Sequence, residues 1–242
     1  MVIILACGVA VFSALMALGI WQVYRLDWKL ELIERVELRV DAPVVAMPSS
    51  EAWSRLQPEK SEYRHLEATG TLMPELSVRA TATTLYGSGY WLMTPLKLGN
   101  GDLVMINRGF VSSDFDIAAD TARLNETKEP VTVRGLLRLS EPGGGFLRAN
   151  RPEKNRWYSR DVEAMAETAG LGQVAPFFID AEANSLEGSV QAMDPSRTPV
   201  PGLTVIHFRN NHLVYALTWF VLALMVAGGL GFLLRDQFKR SL

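Results

Sequence analysis

Imidazole and thiol groups are scarce in this chain of 242 residues, which holds three histidines and one cysteine. Their positions limit the metal or nucleophile chemistry available. Cys7 lies inside an apolar run, so no disulfide and no thiolate metal site follows from it. His65 falls in a strand-like pattern and reads as structural. His207 and His212 are five residues apart; on a helix that is about 500°, leaving the rings about 140° apart. They cannot chelate one ion together unless the helix breaks between them. His212 has a more suggestive setting. Asn210 or Asn211 is placed to cap a helix, His212 stands at its mouth, and Tyr215 and Trp219 follow at i+3 and i+7 on one face. Two readings stay open on these residues alone. In one, His, Tyr and Trp anchor the helix among lipid headgroups. In the other, a neutral imidazole nitrogen ligates heme iron beside an aromatic wall.

No other cluster assembles a catalytic apparatus. Ser88, in Tyr86-Gly87-Ser88-Gly89, lacks the spacing of a nucleophile elbow. Gly143-Gly144-Gly145 has no Lys-Ser/Thr after it and reads as a turn rather than a phosphate loop. Asp114 and Asp116 have few oxygens nearby and read as solvated loop carboxylates. The expectation is a protein that is not an enzyme. A formal net charge of -2, with no Arg/Lys stripe interleaved with aromatics, gives no sign of nucleic acid binding.

The elements that must position His212 are set by hydropathy. Val2 to Ile20 and Leu213 to Leu234 carry no charge. As helices they would reach roughly 28 and 33 Å, close to the hydrocarbon thickness of a bilayer. For the first run a cleaved signal peptide competes, with Ala17-Leu18-Gly19 as its small-residue site. The absence of a basic segment before it, and its length, favour an uncleaved anchor. The 3.6-residue spacing continues through Leu26, Leu30 and Ile33 and predicts one helix over about 2–38, its second half an amphipathic stalk. Trp21, Tyr24 and Trp28 fall where an interfacial aromatic belt belongs. Basic residues near the helix ends tally evenly on the two sides, and the short basic tail after Leu234 leans toward termini inside.

Between the runs the period changes to two. Strands are expected at Tyr63–Leu72, Leu76–Thr83, Tyr90–Leu98, Asp102–Val111, Val131–Leu139, Arg156–Ser159, Phe177–Asp180 and Thr204–Phe208, with a hairpin at Gly99-Asn100-Gly101. A short helix around Glu51–Leu56 and one good helix over Asp161–Ala169, closed by Gly170, complete the pattern. The predicted architecture is therefore two transmembrane helices flanking a mostly β (α+β) soluble domain, a twisted antiparallel sheet or partly closed barrel. Its parts are helix and stalk over 1–40, soluble domain over 41–209, and second helix with basic tail over 210–242.

Four segments, in order, resemble the Surfeit locus protein 1 family of cytochrome oxidase assembly factors. They are Leu18-Gly19-Ile20-Trp21-Gln22-Val23-Tyr24-Arg25, Gly89-Tyr90-Trp91-Leu92-Met93-Thr94-Pro95-Leu96, Val104-Met105-Ile106-Asn107-Arg108-Gly109-Phe110-Val111 and Asn210-Asn211-His212-Leu213-Val214-Tyr215-Ala216-Leu217-Thr218-Trp219-Phe220. The resemblance implies a non-enzymatic role: binding heme a at the membrane rim and helping its insertion into cytochrome oxidase subunit I, alongside the heme a synthesis or insertion machinery. It implies His212 as the ligand of heme iron. It also implies a bacterial inner membrane, with the soluble domain in the periplasm and both termini in the cytoplasm. With that resemblance, Trp21, Tyr215 and Trp219 are expected to wall the heme. Arg25 and Arg209 are placed to pair with its propionates. Its farnesyl tail would lie between the helices beside Gly19, Ala216 and Ala223. Asn107 and Arg108 are expected to shape a turn after a strand. A cofactor-free scaffold for oxidase subunits is the alternative.

Overall fold

The computed structural model describes residues 2–127, 129–183, 194–203, 208 and 210–240. The chain forms two compact units: the terminal helices, and the segment Leu38–Ile206 between them. The helices are α1 (Val2–Val40) and α6 (His212–Arg240), both long and apolar enough to cross a membrane. No Gly or Pro breaks the stretch of α1 beyond Gly19, so the helix runs on into its charged stalk as the spacing predicts.

In the second unit, β1 (Val45–Ala46) precedes two single-turn helices, α2 (Ser50–Trp53) and α3 (Pro58–Ser61). Then come β2 (His65–Leu72), a 3-10 turn at Pro74–Leu76, β3 (Val78–Thr84), β4 (Gly87–Leu98) and β5 (Leu103–Val111). After these follow α4 (Ile117–Thr127), β6 (Val131–Leu139), a small hairpin of β7 (Gly144–Gly145) and β8 (Arg148–Ala149), α5 (Val162–Thr168) and β9 (Val174–Ala181). The main sheet runs β1-β2-β6-β9-β5-β4-β3, and β2 also pairs with β4. That second pairing, Gly70–Leu72 against Leu96–Leu98, closes β2, β6, β9, β5 and β4 into a five-stranded barrel. Closure brings the Lys97 carbonyl against the place a Cβ on residue 70 would fill, so only glycine fits there. Most pairings are antiparallel; β5–β9 and β1–β2 are parallel.

The central strands are buried on both faces, which is why β5 reads as a nearly unbroken apolar run. Val104 and Ile106 point into the barrel with Leu66, Leu96, Val133, Leu137, Phe177 and Ile179. Their neighbours Met105 and Phe178 point the other way, onto Val162 and Met165 of α5 and onto Trp157. α5 starts where its cap predicts: the Asp161 carboxylate accepts from the Ala164 N–H, and Gly170 beyond its end has φ +66.

Three expectations need correction. Asn107 and Arg108 do not form a turn; they lie inside β5 and are buried. Asn107 donates to the Asp180 carboxylate at 2.8 Å and accepts from the Gly109 N–H at 3.1 Å. Arg108 grips Asp120 with two nitrogens, at 2.5 and 3.2 Å. Gly109 has φ +122, and its bare Cα lets the Val200–Pro201 backbone lie against the strand. Second, α4 is a helix that weak apolar periodicity concealed. Asp116 is its cap rather than a solvated loop carboxylate, accepting from the N–H groups of Ala118 and Ala119 at 2.9 and 3.2 Å. Third, Arg156–Ser159 is not a strand; Arg156 and Trp157 make isolated bridges to Arg151 and Ala80. The fold class itself is as expected, two apolar helices flanking a mostly β unit whose sheet closes as a barrel. Of the segment Thr204–Phe208, residues 204–207 lie outside the described residues, and so does His207. His65 sits on β2 with Nε2 against the Glu182 carboxylate, a structural place as expected.

The Arg108–Asp120 pair sets an acid limit on this unit. Burial pushes the Asp120 carboxyl up, but hydrogen bonds and charge from Arg108 and then Arg123 outweigh it and hold it below the ordinary carboxylate range. A carboxyl lowered in the folded state stabilises above its unfolded value and loses that contribution as pH falls through its folded value. Asp120→Ala leaves a buried guanidinium unpaired and should cost about 3–5 kcal/mol at pH 7. In thermal melts of the full chain in micelles, the gap between wild type and variant should narrow as pH drops below about 4.

Candidate functional site

Two apolar helices gain nothing from hydrophobic burial against each other in lipid, so their contact must come from close packing and polar pairs. The terminal helices run antiparallel: Gly8 meets Leu230, Gly19 meets Phe220, and Gln22 meets His212. Small residues hold the seam closed. Gly19 is buried on α1, and Ala216 and Ala223 are buried on α6. A Cβ on residue 19 would stand 2.5 Å from Cε1 of the Phe220 ring, so glycine is what admits that ring.

At the end of this seam lies the histidine. The Asn210 side chain accepts from the His212 N–H at 3.3 Å, and the Asn211 carbonyl accepts the first helical bond, from Tyr215, at 3.1 Å. Asparagine thus starts α6, as the sequence predicts, and puts His212 at its first position. The ring is half-buried, and its Nδ1 lies 2.7 Å from the amide oxygen of Gln22. That oxygen only accepts, so Nδ1 carries the ring hydrogen and donates it. In the neutral ring that tautomer leaves Nε2 with its lone pair. A ligating histidine is prepared in this way, its second nitrogen tied so that tautomer and ring orientation are both set.

Two helical turns along the same stripe is Trp219, half-buried, with an indole N–H that meets no acceptor among the described residues. The other aromatic and basic candidates are not gathered with it. Trp21 and Tyr215 are each 53% exposed on outward faces. The Arg25 guanidinium lies 4.3 Å from the centroid of the Trp28 ring, and Lys29 lies 4.8 Å from that of Phe208. Arg209 lies outside the described residues. The structure therefore joins Gln22 to His212, with Trp219 deeper on the same face. The place expected for a farnesyl tail, beside Gly19, Ala216 and Ala223, is instead filled by the helices' own side chains, chiefly Phe220. Gln22 escaped the sequence reading, although an uncharged amide three residues beyond Gly19 in an apolar helix was the available signal.

Among the described residues, no three His, Cys, Asp or Glu side chains are arranged to hold a bare metal ion. A single prepared imidazole suits a metal that arrives with its other ligands, as iron does in a porphyrin. The residues present fit heme on that ground. The seam itself is testable. Gly19→Leu should drive the Phe220 ring out and lower the melting temperature of the full chain in micelles. Phe220→Ala added to it should recover part of the loss, with a coupling of about 1 kcal/mol or more in the double-mutant cycle.

Residues 9–224 match the SURF1 family. A SURF1-like protein of Caenorhabditis briggsae is 31% identical over 92% of this chain and 72% of its own length. Surfeit locus protein 1 of Homo sapiens is 32% identical over 85% of this chain and 69% of its own. The Mus musculus protein of that name is 32% identical over 84% of this chain and 66% of its own length. The family match takes in most of α1, the strands and the first part of α6, including both Gln22 and His212, and the chain belongs to the SURF1 family.

Proposed function

We propose that this chain is a membrane-anchored assembly factor for heme-copper cytochrome oxidase, holding heme a through His212 and helping to place it in subunit I. The observation that carries the reading is the 2.7 Å bond from His212 Nδ1 to Gln22, which fixes the ring and leaves Nε2 to ligate. Heme a, if bound, would be held by His212 and would supply an iron centre for that imidazole to ligate. The chain's own residues do the rest. Gln22 orients the imidazole and, in the neutral ring, favours the tautomer with its hydrogen on Nδ1, and the Gly19–Phe220 contact keeps Gln22 within reach. Arg25, exposed and lying over the Trp28 ring, is a cation suited to a propionate. A single ligating imidazole at a half-buried helix end would hold a cargo without enclosing it, and delivery requires that.

In this reading the helices span the inner membrane of a bacterium. The soluble domain faces the periplasm, both termini are cytoplasmic, and subunit I and the heme a synthesis or insertion machinery are the partners. No reaction is catalysed. A cofactor-free scaffold for oxidase subunits is favoured by one observation: the seam between the helices is packed shut, so no apolar cargo is enclosed there.

The test is the visible spectrum of the full-length chain purified from cells that make heme a. Wild type should show a Soret band and His212→Ala should lack it, whereas a band surviving that change sinks the assignment of His212. Gln22→Leu should keep the band but weaken heme affinity about 10–100-fold, the usual effect of removing a ligand's hydrogen-bond partner. Absence of heme from the wild type, with subunit I still co-purifying, would establish the scaffold instead.

A further inference from the structure

The soluble unit carries a second site that the heme reading does not use. A cleft of about 620 Å³ opens between the start of β4, the edge strand β3 and the loop from Arg148 to Tyr158. Arg79, Arg148 and Arg156 all line it, and none of its lining residues is acidic. The arginines nearest the core are treated differently: Arg108, Arg138 and Arg160 each meet a carboxylate. Arg79, Arg148 and Arg156 make no ion pair among the described residues. Two of them are oriented by aromatic faces instead, Arg79 at 5.0 Å from the centroid of Tyr90 and Arg148 at 5.5 Å from that of Tyr158. Three guanidinium groups lining one cleft without a counter-charge repel one another, and an oxyanion entering the cleft would relieve that repulsion.

The cleft is also built rather than incidental. The loop that forms one wall is pinned to β3 through the Thr81 N–H to the Trp157 carbonyl, 2.8 Å, and the Trp157 ring is buried beneath it. The Trp157 indole N–H donates to Asn155 at 2.7 Å, holding the turn between Arg151 and Arg156. Hydroxyls of Ser88 and Ser113 complete the rim.

Two hairpin tips border this cleft, and both end in apolar side chains held out in solvent. The β3–β4 tip, next to Ser88, presents Leu85 at 94% exposure. The β7–β8 tip, next to Arg148, presents Phe146 at 92% and Leu147 at 89%. Leucine and phenylalanine on glycine-bearing tips beside basic residues are the pattern of a surface that meets the headgroup and upper acyl region of a lipid. A purely polar phosphate ligand would have no use for them.

We infer that the Arg79–Arg148–Arg156 cleft binds the headgroup of an anionic phospholipid, with Leu85, Phe146 and Leu147 against its acyl chains. The geometry suits a phosphodiester, whose oxygens match paired guanidinium donors. The experiment is native mass spectrometry of the full-length chain released from neutral maltoside micelles that contain equimolar phosphatidylglycerol and phosphatidylcholine. The expected result is a phosphatidylglycerol adduct about tenfold in excess over phosphatidylcholine, falling about tenfold in Arg79→Gln/Arg156→Gln. Leu85→Ser/Phe146→Ser should weaken it as well, and Arg79→Lys/Arg156→Lys should retain more than the glutamine variant. Circular dichroism of each variant should match wild type, because the substituted side chains lie at the surface. Equal adducts of the two lipids would overturn the inference. So would an adduct undiminished in the glutamine variant, which would assign the lipid to the basic end of α6. Full displacement by an equal concentration of inorganic phosphate or of an acidic peptide would do so too, by naming a soluble anion or a protein partner.

Discussion

The approach of α1 to α6 at Gly19 is the constraint on which the candidate site depends. Phe220 enters the space that a side chain on residue 19 would occupy, and Ala216 and Ala223 let the backbones stay close on either side. Only at that separation does a glutamine on one helix reach a histidine on the other. The amide then does two things at once. It links the helices by a polar bond where apolar surface gives no net attraction, and it selects the tautomer of the ring. Structure and chemistry share one contact, so the same seam that stabilises the helix pair prepares its ligand.

The soluble unit is organised by a different economy. Five strands close on themselves, leaving β3 and β1 as short additions at the edges. Because the central strands are buried on both faces, the polar groups among them must be satisfied internally. Asn107 and Asp180 bond across the parallel β5–β9 pair, and Arg108 reaches out of the strand to Asp120 on α4. The first of these ties two barrel strands together, and the second attaches α4 to the barrel. Cations that cannot be paired inside are kept at the rim, where Arg79, Arg148 and Arg156 lean on aromatic rings or face water.

Much of this was legible from local pattern. Uninterrupted hydropathy located both long helices, and period-two runs located β2 to β6 within a few residues of their ends. Asparagine before an apolar run located the start of α6. The failures share a cause. α4 has little apolar periodicity because one side of it is held by an ion pair rather than by a hydrophobic stripe, though Asp116 marked its start. Asn107-Arg108-Gly109 looked like a turn because polar residues and glycine are turn formers. A strand takes them when partners wait on β9 and α4, and neither partner is near in sequence. Arg156–Ser159 has strand composition, but the edge of β3 accepts only a bridge from it.

What the sequence by itself determined is what depends on neighbours along the chain: two spans of bilayer length, a β-rich unit between them, the cap before His212 and the family to which the chain belongs. Tertiary structure alone decided which face of each helix meets the other, that the sheet closes, and that Gln22 rather than Trp21 or Tyr215 stands beside the histidine. The physical reason is distance. Hydropathy and capping act over a few residues, whereas the Gln22–His212 bond joins positions 190 residues apart and forms only once glycine has let two helices touch.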